Sequence, residues 1–240
     1  MIPELTELLT GNPYPGRGVL CCRTADGVLS GGYFLTGRSG ASRARELRRG
    51  PAGELTVAPT APTSPTAPTA PTGHDSLRHY TAVRESADCL VFGNGEQVGA
   101  VAARLAAGLR PAEALDGLDY EPDPPIFTPR LTAVVENGAV GDGAVWFGAA
   151  RRSAAGRAAT DRMTLRVEGL RAGEGVLMTT YRSDGVEVAT GEPYAEFRTA
   201  AAGPGELLDQ LWDRLDARLR VAAAVFEPGR LPEAEIRQAR

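Results

Sequence analysis

The chain contains no lysine, so every fixed cation in its 240 residues is an arginine. That excludes Schiff-base chemistry and a lysine general base. It leaves guanidinium groups to clamp planar anions such as phosphate or carboxylate. Only two histidines and three cysteines are present, and no pair of cysteines has CxxC spacing, so a zinc site is not expected. Cys21 and Cys22 are adjacent in "GVLCCRT" and Cys89 lies in "ADCLVF". They read as small hydrophobes inside strands, since a free cysteine is usually buried. Aromatics make up only 6% and hydrophobic residues 42% of the chain, with a net charge of −4. The slight negative charge offers no broad cationic face to nucleic acid. No apolar run is long enough to span a bilayer. The first residues, "MIPELTELLTGN", have neither the basic region nor the apolar stretch of a signal peptide. They read as a short helix, with Pro3 near its start and Gly11 after it. These features predict a cytoplasmic enzyme.

What the chain does have is strands. "RGVLCCRTADGVLSGGYFLTG" reads as two strands joined at "ADG", a β-hairpin. "CLVFGN", "RLTAVV", "AVWFGAA", "MTLRVEG", "GVLMTTYR" and "YAEFRTA" are further short strands. Two stretches read as helix: "VGAVAARLAAGLRPAEALDGL", broken at Pro111, and "GELLDQLWDRLDARLRVAAAVF". The second puts Leu207, Leu208, Leu211, Leu215 and Leu219 on one face. Many antiparallel strands with few helices predict an α+β fold with helices packed on the sheet faces. The tract from 51 to 75, "PAGELTVAPTAPTSPTAPTAPTGHD", is rich in Pro, Thr and Ala. Repeated proline removes amide donors and there is little apolar surface to bury, so the tract reads as an extended loop inside one domain spanning 1–240.

Generic nucleotide and hydrolase motifs are missing, but arginines and acids gather in loops. "TGRSGASRAREL" places Arg38 and Arg43 on a Gly/Ser-rich segment after a strand, where two guanidiniums can fork a phosphate or simply be solvated. In "HYTAVRE", period-two alternation would put Tyr80 and Arg84 on one face. "GNGEQVGA" precedes a helix, whose amides could meet an anion. "LDYEPDPPIFTPRL" crowds Glu121 and Asp123 among prolines, ahead of Thr128 and Arg130.

Taken together, "NPYPGRGVL", "YFLTGRSGASR", "YTAVR", "GNGEQ", "YEPDPPIFTPRL", "GEGVLMTTYRSDG" and "GEP", in this order, resemble the archaeal-type IMP cyclohydrolase family, including its bacterial members. The likeness spans the chain apart from the Pro/Thr insert and the C-terminal tail. It implies a four-layer α-β-β-α sandwich like that of the N-terminal-nucleophile hydrolases. Met1 and Ile2 supply no such nucleophile, so the similarity would be one of architecture. It implies ring closure of 5-formamidoimidazole-4-carboxamide ribotide to IMP in purine biosynthesis. The partner is then a small nucleotide substrate, with no cofactor and no metal; a homo-oligomer stays open.

By the same resemblance Tyr80, Glu121 and Arg43 are the candidate catalytic residues: Tyr80 a proton donor near the formyl oxygen, Glu121 a base or amide binder. Arg38 and Arg43 would grip the phosphate or the base. Arg84, Asn94, Asp123, Thr128 and Arg130 are candidate substrate contacts. The prolines would hold Glu121 rigidly, with Arg130 balancing the acids. Val98-Gly99 and Ile126 stand where the family has polar residues. They leave open a related purine-like substrate in a specialised pathway, or a nucleotide-binding homologue without activity. A small-amide hydrolase is a third reading.

Overall fold

The computed structural model describes residues 1–60, 79–137, 143–153, 155–184, 190 and 192–239. A short helix α1 (Leu5–Thr10) leads into the hairpin of β1 (Arg17–Arg23) and β2 (Leu29–Thr36). One helical turn, α2 (Gly40–Arg43), is followed by strands β3 (Arg45–Arg49), β4 (Leu55–Pro59), β5 (Tyr80–Ser86) and β6 (Cys89–Gly93). Helices α3 (Gln97–Ala106) and α4 (Pro111–Leu115) come next. Strands β7 (Arg130–Glu136), β8 (Val145–Arg152), β9 (Thr160–Val167), β10 (Glu174–Thr179) and β11 (Ala195–Arg198) follow. Last are α5 (Pro204–Arg214), β12 (Arg220–Phe226) and β13 (Glu235–Gln238).

The strands form two antiparallel sheets, β11-β10-β1-β2-β12-β13 and β3-β4-β5-β6-β7-β8-β9. Period-two alternation then builds the layers. In β1, Val19 and Cys21 face the other sheet, while Leu20 and Cys22 face α1 and α5. Phe92, Ala133 and Phe147 of the second sheet meet the first in the central core. Val91 and Val134 point the other way, onto Val98, Val101 and Leu105 of α3. Three apolar clusters therefore separate four layers in the order α-β-β-α, the α+β sandwich expected. All three cysteines are buried and unpaired, and the adjacent pair points to opposite faces. Burial pushes the Cys22 thiol up to about 12. Among the described residues, no helix is long and apolar enough to cross a membrane.

Two expectations need correction. The second helical stretch stops at Arg214, and "RVAAAVF" is instead the strand β12. Alanine favours helix by propensity, but here small residues are needed in a strand beside β2, whose Gly31 lies against the Phe226 ring. A Cβ on Gly31 would come within 2.4 Å of that ring. The Pro/Thr/Ala tract also begins later than residue 51. Leu55–Pro59 forms β4, with Leu55 and Val57 fully buried in the central core. Residues 61–75 of that tract lie outside the described residues.

Candidate functional site

The site forms at one end of the sandwich, where strand termini of both sheets converge. There β1 and β12 begin and β2 and β10 finish, opposite the starts of β3, β5 and β7. A cavity of about 200 Å³ opens between them, bordered by Arg17, Arg45, Glu121, Asp123, Thr128 and Tyr181. A second cavity, of about 150 Å³, lies between α1 and β10–β11. Among the described residues, no buried ion pair lines it.

Arg17 is the first residue of β1 and is buried. One guanidinium nitrogen donates to the Asn94 carbonyl at 2.7 Å and lies 2.8 Å from Glu121 Oε1. The other donates to Glu121 Oε2 at 2.9 Å. Burial opposes the charge on Arg17, but Glu121, Tyr80 and Tyr181 outweigh it and raise its pKa well above the usual value. Burial lifts the Glu121 carboxyl above the ordinary glutamate range, against the pull of Arg17. The two side chains meet as a close pair with one hydrogen bond, which leaves Glu121 Oε1 without a hydrogen-bond partner.

Asn94 builds this arrangement from behind. Its Nδ2 donates to the Pro129 carbonyl at 2.8 Å, and its Oδ1 accepts from the Leu131 amide at 2.7 Å and from Gln97 at 3.0 Å. Its side chain is thus spent on the backbone, and its carbonyl aims Arg17.

Arg45, the first residue of β3, is the uncompensated charge. Its Nε donates to the Ser42 carbonyl at 2.8 Å. Its Nη2 donates to the Thr36 carbonyl at 3.4 Å, and among the described residues it forms no ion pair with a carboxylate, although Glu121 and Asp123 border the same cavity. Burial lowers its pKa. Behind the two arginines, Tyr33 of β2 and Tyr80 of β5 share a buried hydrogen bond of 2.7 Å across the sandwich.

The acidic loop is tied together by Asp123. Its carboxylate accepts from the Thr128 amide at 2.6 Å and from the Thr128 hydroxyl at 2.5 Å. The Asp123 carbonyl accepts from Ile126 and Phe127, and the Glu121 amide donates to the Thr128 carbonyl at 2.8 Å. Thr128 Oγ1 also lies 2.6 Å from the hydroxyl of Tyr181, whose ring stacks on Tyr14.

Of the residues expected from sequence, Glu121, Asp123 and Thr128 border the cavity. Tyr80 and Asn94 are buried behind it. Arg43, which ends the α2 turn, and Arg38, just ahead of it, are exposed beside the bordering residues Ser42 and Ser39. Arg84 does not share a face with Tyr80. A register shift between β4 and β5 turns both Ala82 and Val83 inward, which sends Arg84 out to solvent. Arg130 does not balance the loop acids by an ion pair: it bonds Glu96 at 2.6 Å, and Glu121 is held by Arg17. Val98 and Gly99 lie in the first turn of α3, with Val98 packed under the second sheet. Neither they nor Ile126 borders the cavity.

Arg17, Arg45, Tyr33 and Tyr181 were missed by sequence reasoning. A signal existed for three of them. Counting by two from Val19, Leu35 and Leu47, all central-core residues, puts Arg17, Tyr33 and Arg45 on the inward faces. Tyr181 sits just past a strand end, where alternation says nothing.

No curated protein matches the chain significantly. The family profile described as IMP cyclohydrolase-like protein matches residues 14–228, which takes in every strand but β13 and every residue of the cleft. The chain belongs to the IMP cyclohydrolase-like protein family.

Proposed function

We propose that the cleft binds a purine-type nucleotide and closes the ring of 5-formamidoimidazole-4-carboxamide ribotide, giving IMP and water in purine biosynthesis. The observation that carries this reading is Arg45, a partly buried guanidinium at the cleft wall that bonds backbone carbonyls and, among the described residues, forms no ion pair. A bound phosphate would supply the missing anion. Arg38 and Arg43, on the exposed turn beside it, would meet the same phosphate from the rim.

In this reaction the carboxamide nitrogen attacks the formyl carbon of the same molecule. The protein's first task is to hold the two groups together, which in well-oriented systems supplies roughly 7–11 kcal/mol of the barrier. Glu121 takes one proton from the attacking nitrogen, and Arg17 stabilises the oxygen charge that develops. Tyr80 gives a proton to the formyl oxygen, with Tyr33 orienting its hydroxyl. Glu121 then passes its proton to the departing hydroxyl, which leaves as water, and the formamido nitrogen gives its proton back to Tyr80, which closes the C=N bond of the product and restores both residues. Each step uses side-chain acid–base chemistry. The scaffold in this reading is the N-terminal-nucleophile hydrolase architecture.

The test is direct. Purified protein is mixed with the formamido ribotide and IMP is followed by chromatography. Saturable IMP formation that vanishes in Glu121→Gln is expected. A wild-type protein that binds IMP yet never forms it would sink the reading.

A further inference from the structure

We propose that Tyr181 is a specificity-determining acceptor in the cleft, its own proton locked onto Thr128 so that its oxygen receives an N–H of the ligand. On the cyclohydrolase reading, on which this rests, that N–H is the one retained by the attacking carboxamide nitrogen and carried into the product ring.

The polarity follows from counting protons. Thr128 Oγ1 has two neighbours, Asp123 Oδ2 at 2.5 Å and Tyr181 Oη at 2.6 Å, and one proton to give. Asp123 as a carboxylate can only accept. The Thr128 proton therefore goes to Asp123, and Tyr181 must donate to Thr128. Among the described residues Tyr181 Oη has no second hydrogen-bond partner. With its proton turned away, what it presents to the cleft is lone pairs.

The ring cannot turn to escape this role. The Tyr181 amide donates to the Pro15 carbonyl at 3.1 Å, and its carbonyl accepts from Asn12 Nδ2 at 2.8 Å. Gly16, at φ +73, lies so close that a Cβ there would come within 2.4 Å of the Tyr181 ring. Tyr14 stacks on its face with centroids 5.7 Å apart. The cleft thus carries two kinds of wall. Arg17 and Arg45 donate, which suits phosphate and carbonyl oxygen. Glu121 and Tyr181 accept, which suits the two hydrogens of a carboxamide, one to be removed and one to be kept.

Asp123→Asn should reverse the relay. The Thr128 amide, which donates to Asp123 Oδ1 at 2.6 Å, requires an oxygen at that place. The new amide nitrogen must then face Thr128 Oγ1 and donate to it. Thr128 passes its proton to Tyr181, and Tyr181 turns its own proton into the cleft.

Two measurements test this. Neutron diffraction from deuterium-exchanged crystals should show the Tyr181 deuteron aimed at Thr128 in the wild type, and reversed in Asp123→Asn. Calorimetry should show IMP binding about ten-fold tighter than 6-methoxypurine riboside monophosphate, which keeps the phosphate and an oxygen at C6 but lacks the ring N–H. Tyr181→Phe should erase that preference and Asp123→Asn should invert it. A wild-type Thr128 deuteron aimed at Tyr181, or an unchanged preference in Asp123→Asn, overturns the proposal. Deuterons as expected with neither nucleotide bound would instead overturn the nucleotide reading and leave the acceptor polarity of Tyr181 standing.

Discussion

Arg17 and Glu121 lie 104 residues apart in the chain and meet as a buried ion pair, with the Arg17 side chain 9% and the Glu121 side chain 3% exposed. They tie the first strand of one sheet to the loop ahead of β7 in the other. A charge left alone at this depth is costly. Arg17→Met or Glu121→Leu alone should destabilise the protein by about 3–5 kcal/mol, whereas the double substitution should cost less than either single one. Denaturant midpoints measure this, and additive losses would show that the two groups are not paired in solution.

The same burial sets a pH limb. Glu121 must be ionised to take a proton, and burial holds its carboxyl above the ordinary range. For a carboxyl raised in the folded state, folding favours the protonated form. Its contribution to stability is therefore present below the unfolded pKa and lost as pH rises through the folded one. Activity runs the opposite way and should climb on an acid limb centred above about 4.3, the unperturbed glutamate value. A kcat/KM profile with its acid limb at or below that value would remove Glu121 as the base.

Tyr33 and Tyr80 should behave as one unit. Tyr80→Phe keeps the ring in the core and should lower kcat by roughly 10²-fold, the scale of a lost acid–base group. Tyr33→Phe should lower it by less, on the order of ten-fold, and the double variant should match Tyr80→Phe alone. Equal drops in melting temperature with kcat unchanged would reduce the pair to packing.

The arginines of the "TGRSGASRAREL" segment should separate. Arg45→Met removes a guanidinium from the cleft wall and should weaken IMP binding by roughly 10–100-fold, as for a charged hydrogen bond. Arg43→Ala, on the exposed turn, should cost several-fold less. Titration calorimetry compares them, and a larger loss at Arg43 would move the phosphate to the rim.

Val57 pairs with Tyr80, so the two ends of the Pro/Thr tract start side by side. Replacing residues 61–78 with a short Gly/Ser linker should shift the melting temperature by only a few degrees, because closure entropy changes by about 0.6 kcal/mol per doubling of loop length. Extending the deletion through Leu55 and Val57 should abolish cooperative unfolding. A linker variant that melts no better than the longer deletion would contradict this division of the tract.

Reading by two along β1, β6, β7 and β8 locates the strands, and the same count carries each buried residue to its face. Period and turn chemistry are local, so the α+β class, the hairpin at Gly27 and the break at Pro111 are written in neighbouring residues. So is the crowding of Glu121, Asp123 and Thr128 in one loop. The pairing of that loop with Arg17 is not, because ion pairs across two sheets depend on which strand ends coincide. Nor is the rotation of Arg84 into solvent, which a one-residue register shift produces. The alanines of β12 read as helix until Gly31 and Phe226 occupy the space beside them. Tyr181 has no sequence mark at all: its role comes from a proton count among three side chains that only the closed sandwich brings within 2.6 Å of Thr128 Oγ1.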